Sequence, residues 1–392
     1  MHYKLVILNL VTLSLIATSC KNKENPENSL DARAYQHGID CIDLGNNKCA
    51  IIWSSNENPP KIVEDENWGH DIYYTIIATD TVSVFESYHP IIVASEAQEP
   101  ASSAITSDGN ILITTEDGWN TSNTVAQRHG VYDTNFRPIK PYPNMVENGG
   151  HSGHVTAVDN QFVVFYSDGW VDGEGVDNLG TGDDVKLKTY QSTGTESNYL
   201  DVSVGSKYRD WWPLIAGSNK KAALVWQRFV KGTTSANLML AIYDPKTNKL
   251  LQEVKLEEKI KYYTYNVEYL PTINRFLIIG TYQNNKGFCF LVDENGGITA
   301  FNKNLPTGIV RECKTITREL KNGDLCSVFP TLPNTLGTLK ITANNIEYIK
   351  TIGDLEPWFT IGMDGFFIND TTICTVSLSP EGLKKQIVQI HL

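Results

Sequence analysis

Residues 154–166 read HVTAVDNQFVVFY: an apolar strand, a tight turn on Asp159 and Asn160, and a second apolar strand. Asp, Asn and Gly at such a turn tolerate the positive φ that short hairpin loops require. The same unit recurs as CIDLGNNKCAIIW (41–53), AITSDGNILITT (104–115) and PLIAGSNKKAALVWQ (213–227). It returns as EYLPTINRFLIIG (268–280), KTITRELKNGDLCSVF (314–329) and FFINDTTICTVSL (366–378). Measured at the start of each second strand, the seven hairpins repeat every 48 to 61 residues. A period of about 50 residues with strands in every unit is the mark of a β-propeller. A helical solenoid would show a 3.6-residue apolar period, which is missing here, and a two-sheet sandwich rarely uses so many strands in one domain. The sequence therefore predicts an all-β, seven-bladed β-propeller over residues 33–392.

The first residues have a different character. MHYKLVILNLVTLSLIATSC (1–20) has a basic start at Lys4, an apolar run and small residues before Cys20. The run is too short for a stable membrane span and has the build of an export signal. We expect residues 1–19 to be a lipoprotein signal peptide, with Cys20 the lipidated N-terminus. Residues 20–32 then form a polar tether. Ordinary secretion, with Cys20 left in the tail, is the alternative. The first reading implies a cell-envelope location, with membrane contact through the lipid only.

The formal charge is −12, which argues against a nucleic-acid partner, whose footprint would be basic. An anionic sugar is not excluded, because a few cations in one cleft dominate the local field. Six cysteines follow Cys20 (Cys41, Cys49, Cys289, Cys313, Cys326 and Cys374), without CxxC spacing and in or beside apolar runs. They read as buried thiols, with one or two disulfides as the alternative in an oxidising compartment.

The chain has no GxSxG elbow, HExxH, P-loop or dinucleotide fingerprint in a strand–helix context. Candidate chemistry gathers instead at strand ends: His129 in QRHGVYD, His151 and His154 in GGHSGHV, Tyr208 in KYRDWWP, Arg228 in VWQRF and Tyr265 in KYYTYNVEY. The glycines around His151 and His154 suggest a backbone that a ligand can approach closely. Each residue also has a plain structural reading, as a hydrogen-bonded histidine or as aromatic and cation stacking between blades. The acidic loop VDGEGVDNLGTGDD offers Asp172, Glu174, Asp177, Asp183 and Asp184 to calcium, without EF-hand spacing.

The stretch HSGHVTAV…FVVFYSDGWVDGEGVDNLGTGDDV, followed by YRDWWPLIAGS and ALVWQRF, resembles the seven-bladed propeller lyases that act on ulvan, a sulfated rhamnose–uronate polymer of green algae. The resemblance covers about residues 115–280, and the chain is shorter than typical members. It implies β-elimination on a uronate: a cation neutralises the carboxylate, a base removes the C5 proton, and an acid protonates the departing O4. On this resemblance Arg228 neutralises the carboxylate and Tyr208 is the acid or shared acid/base. His129 is the base, and His151 either joins the proton transfer or grips the sulfate and carboxylate. His154, Tyr265, Trp119 and Trp170 contact the sugar. The chemistry requires no cofactor. The family's structural metal raises zinc, with Cys313 as one candidate ligand and the full ligand set unknown.

Three other readings remain open. The same chemistry with a free hydroxyl as leaving group would make the protein a dehydratase of ulvan oligosaccharides. A propeller glycoside hydrolase would need two carboxylates, from among Asp117, Asp168 and Asp210. A non-catalytic sugar-binding lipoprotein would use Trp119, Trp170, Trp211 and Trp212 for stacking.

Overall fold

The computed structural model describes residues 36–56, 69–82, 88–118, 125–169, 184–205, 208–230, 233, 235–353, 355, 362–379 and 382–390. Cys20, Trp119, Trp170, Asp172, Glu174, Asp177 and Asp183 lie outside them.

The strands form seven blades, each opening with one of the seven hairpins. Blade 1 contains β1 (Gln36–Gly45), β2 (Lys48–Ser55), β3 (Asp71–Ala78) and β4 (His89–Ile92). Blade 2 contains β5 (Gln98–Ile105), β6 (Ile111–Asp117), β7 (Ala126–Tyr132) and β8 (Pro138–Asn148). Blade 3 follows with β9 (Gly150–Val158), β10 (Gln161–Asp168), β11 (Asp184–Gln191) and β12 (Glu196–Ser203). Blade 4 is β13 (Asp210–Gly217), β14 (Ala222–Phe229), β15 (Ala236–Asp244) and the first half of β16 (Lys249–Leu270). The second half of β16 opens blade 5, with β17 (Arg275–Tyr282), β18 (Gly287–Val292) and β19 (Ile298–Leu305). Blade 6 is β20 (Ile316–Glu319), β21 (Leu325–Thr331), β22 (Thr335–Thr342) and β23 (Asn345–Ile352). Blade 7 is β24 (Met363–Asn369), β25 (Thr372–Ser377) and β26 (Lys384–Gln389). Blades 4 and 5 share one seven-stranded sheet because β16 bends without breaking at Lys259–Tyr263, whose end residues take φ of 57° and 61°.

The burial pattern explains the apolar runs. Second strands are sandwiched between neighbouring blades, so β6, β14 and β21 are buried at every residue. Outer strands face water on one side and alternate, as β8 does. Apolar clusters join each blade to the next. Leu112 and Val131 of blade 2 pack with Phe162 and Tyr166 of blade 3. Cys374 and Val376 of blade 7 pack with Ile51 and Trp53 of blade 1, which closes the ring. The six described cysteines are free thiols, five of them buried.

Candidate functional site

Each blade is an antiparallel meander, so successive inner strands run the same way and their first residues share one face of the disc. At that face the inner strands are irregular. Gly38, Ser152, Trp212, Tyr263, Glu312 and Gly362 all take positive φ, between 54° and 79°. A left-handed non-glycine residue costs on the order of 1 kcal/mol and persists only where its surroundings enforce it. Here side chains of second strands enforce two of them: the Ser152 N–H donates to Glu116 Oε1, and the Tyr263 N–H to Gln227 Oε1 at 3.0 Å. The Glu312 N–H is held by the Tyr263 carbonyl at 3.0 Å. Such kinked starts re-aim side chains across the channel mouth.

Two of the GGHSGH glycines, Gly150 and Gly153, serve this packing. A Cβ on Gly153 would lie 2.4 Å from Gln127 Cδ, and one on Gly150 would lie 2.8 Å from Glu147 Cβ. Gln127 crosses from blade 2 to accept the Gly153 N–H at 3.0 Å and donates to Thr114 Oγ1 at 2.7 Å. The close approach expected of these glycines is therefore made by a neighbouring blade, and the expectation that they clear space for a ligand is corrected.

At the centre of the mouth lies an acid–imidazole cluster that the sequence did not announce. His37 Nε2 is 2.8 Å from Glu312 Oε2, its Nδ1 is 3.6 Å from Glu99 Oε2, and His70 Nδ1 is 3.1 Å from the same Glu99 oxygen. Burial works against the His37 charge, but Glu312 and Glu99 overcome it and raise its pKa to about 10. Burial raises the Glu116 pKa too, against the Ser152 N–H and together with Glu99, to about 7. That places a carboxyl near neutrality beside a fixed imidazolium. The only cue in the sequence was the acidic pair Glu116–Asp117 ending an apolar strand.

Blade 4 brings two of the candidate residues together. The Arg228 guanidinium lies 4.3 Å over the Tyr208 ring, and Tyr208 is 43% exposed. Arg228 donates from Nε to Asp210 Oδ1 (2.7 Å), and from Nη2 to Asp210 Oδ2 (2.8 Å), Ser203 Oγ (2.8 Å) and Glu253 Oε1 (3.1 Å). Its forked edge is thus spent on Asp210, which corrects the geometry expected for a substrate carboxylate. Beside it, Arg209 packs on Trp211 (4.4 Å) and Phe229 (4.6 Å), and the His151 ring lies tilted against Trp211 at 4.6 Å. Burial, then the Arg209 charge, lowers the His151 pKa to about 3. Arg209 was missed in the sequence because its neighbours Tyr208 and Arg228 carried the pattern.

The remaining candidates sit deeper. His154 and Tyr265 line a central cavity of about 160 Å3 together with Asp40, Trp212, Glu268 and Lys314. The Tyr265 hydroxyl donates to the Trp212 carbonyl. Burial lowers the His154 pKa to about 4. Lower in the channel, Lys314 pairs with Asp40 and, at 3.8 Å, with Asp364. His129 is 1% exposed, packed on Tyr190 at 4.5 Å between blades 2 and 3, and it does not reach the Tyr208 rim. Burial and then Lys140 lower its pKa to about 4. Trp211 and Trp212 are buried at 3% and 6%, so they are not open stacking platforms.

The carboxylates considered for hydrolysis each have a cation: Asp117 with Arg128 (3.0 Å), Asp168 with Lys186 (2.5 Å) and Asp210 with Arg228. Among the described residues no three His, Cys, Asp or Glu side chains converge as metal ligands. Cys313 is 2% exposed, and burial pushes its thiol well up. Asp184 accepts the Gly205 N–H at 2.8 Å.

No family model matches the chain, and no curated protein matches it by sequence. Solved structures do. A lectin from Burkholderia pseudomallei superposes with TM-score 0.62 at 9% identity, over 91% of this chain and 96% of that one. A PL25 ulvan lyase, solved alone and bound to a glucuronate–sulfated rhamnose unit, gives 0.54 at 10% identity, over 91% and 94%. The WD40 domain of Toxoplasma gondii coronin gives 0.52 at 8%, over 93% and 83%. At these identities the likeness shows the fold: a seven-bladed β-propeller.

Proposed function

We propose that the protein acts on an anionic algal polysaccharide or oligosaccharide of the ulvan type, by β-elimination at the blade 4 rim. The observation that carries this reading is the half-exposed Tyr208 phenol stacked on Arg228 and adjacent to Arg209. β-Elimination needs a cation for the uronate carboxylate and a group that can take the C5 proton and return one to O4. In this reading Arg209 meets the carboxylate, its plane fixed by Trp211 and Phe229. Arg228, itself fixed by Asp210, holds the Tyr208 ring. Tyr208 then serves as both base and acid. Neutral His151 orients Trp211, and the base role expected for His129 passes to Tyr208, because His129 has almost no exposed surface. All of these steps use protein side chains alone. A ligand-bound ulvan lyase of the same fold supports the substrate class.

Incubation with ulvan and with its oligosaccharides tests the reading through the ultraviolet absorbance of a new C4–C5 double bond. A lyase shortens the polymer, whereas a dehydratase removes one water and leaves chain length unchanged. No chromophore on either substrate would leave the propeller as a sugar-binding module. We further propose that Cys20 anchors the protein by lipid in the cell envelope, as the apolar leader suggests. Cys20→Ala would then release it from the membrane fraction.

A further inference from the structure

A second cavity, about 490 Å3, opens on the same face between blades 5 and 6. Small-molecule sites span roughly 300–1,000 Å3. Its floor is rigid. The 307–311 loop passes so close to Gly287 that a Cβ there would sit 2.3 Å from the Thr307 carbonyl oxygen. Thr281 Oγ1 donates to the Ile309 carbonyl at 2.7 Å, and the Val310 N–H to the Pro330 carbonyl at 3.0 Å.

Its walls are suited to a sugar acid. Tyr262 supplies aromatic surface, Gln283 and Asn285 supply amides, and Lys261 and Arg311 supply charge. Arg311 lies 4.3 Å over the Tyr263 ring and donates from Nε to Glu312 Oε1 at 2.7 Å, which fixes its plane. Lys261 donates to the neutral Asn285 Oδ1 at 3.2 Å, and among the described residues no carboxylate pairs with it. In a chain of net charge −12, a lysine whose charge is not answered by a described carboxylate, inside a walled cavity, is a site for an anion. The cavity also adjoins the channel mouth, because Arg311 is bonded to the Glu312 that holds His37.

We propose that this cavity is a subsite for an acidic sugar unit of the same polymer, with its sulfate or carboxylate held by Lys261 and Arg311. The proposal rests on the carbohydrate reading above and extends it by one sugar position toward blades 5 and 6. Neither residue takes part in the elimination.

Titration calorimetry of the full chain with a sulfated ulvan oligosaccharide and its desulfated counterpart tests it. Lys261→Met should weaken binding of the sulfated form by ~10-fold, the scale of one charge-assisted hydrogen bond, and Lys261→Arg should restore it. A loss confined to the sulfated form assigns the site to sulfate. An equal loss with both forms assigns it to the carboxylate. Wild-type affinity in Lys261→Met, with thermal stability intact, overturns the subsite and leaves the carbohydrate reading standing. If the wild-type protein binds neither oligosaccharide, the subsite and the reading beneath it fall together.

Discussion

Arg228 lies 4.3 Å over the ring of Tyr208 while its other edge grips Asp210, a carboxylate only 1% exposed. One residue thus joins a buried ion pair to an exposed phenol. Removing one partner of a buried pair strands the other charge and costs about 3–5 kcal/mol. Arg228→Met should therefore lower stability on that scale, read as a reduced urea midpoint with unchanged slope. Arg228→Lys keeps the charge but loses the paired donors, so it should fall between the two. A neutral effect of Arg228→Met would mean that Asp210 is not held as described.

Gly153 and Gln127 form a second coupled pair, across blades 2 and 3. Gly153→Ala places a methyl group 2.4 Å from Gln127 Cδ, and overpacking of this kind typically costs about 1–3 kcal/mol. In a Gln127→Ala background the same change should cost much less, because the obstructing side chain is gone. A double-mutant cycle with no coupling would contradict the packing role of the glycine.

Acid should weaken the fold through its neutral histidines. His129, His151 and His154 have folded pKa values of about 4, 3 and 4, against an ordinary 6.5. Between pH 6.5 and about 4 the unfolded chain binds protons that the folded chain refuses, so stability falls as the pH drops. Glu116, raised from 4.5 to about 7, acts in the opposite sense between those values. The histidine contribution is therefore best isolated by difference. His129→Gln should flatten the stability–pH slope by up to about 1.4 kcal/mol per pH unit in this window, the value for one proton. An unchanged slope would show that His129 is protonated equally in both states.

The fold was legible because one feature repeats. Turns such as Asn46–Asn47, with φ of 52° and 58°, carry their geometry in residue type. The seven hairpins read from sequence are the first two strands of the seven blades. What sequence could not show was that β16 runs unbroken from blade 4 into blade 5, since a bend at Lys259–Tyr263 uses no Gly or Pro. The site was legible in part. Tyr208 and Arg228 meet, and His154 and Tyr265 share the central cavity. The cluster of His37, His70, Glu99, Glu116 and Glu312 comes from three different strands and two loops, so no local spacing could announce it.

In the proposed elimination the Tyr208 hydroxyl moves the proton. Tyr208→Phe removes only that oxygen from a half-exposed ring, so the fold should persist, with the Arg228 stack retained. The direct measurement is the rate of double-bond absorbance on ulvan and its oligosaccharides for wild type and Tyr208→Phe, with binding affinity measured in parallel. Wild type should form the unsaturated product. The variant should bind substrate with similar affinity but turn over slower by roughly 10²-fold or more, the scale for losing a proton-transfer group. Near-normal turnover by Tyr208→Phe would contradict a proton-transfer role for that hydroxyl.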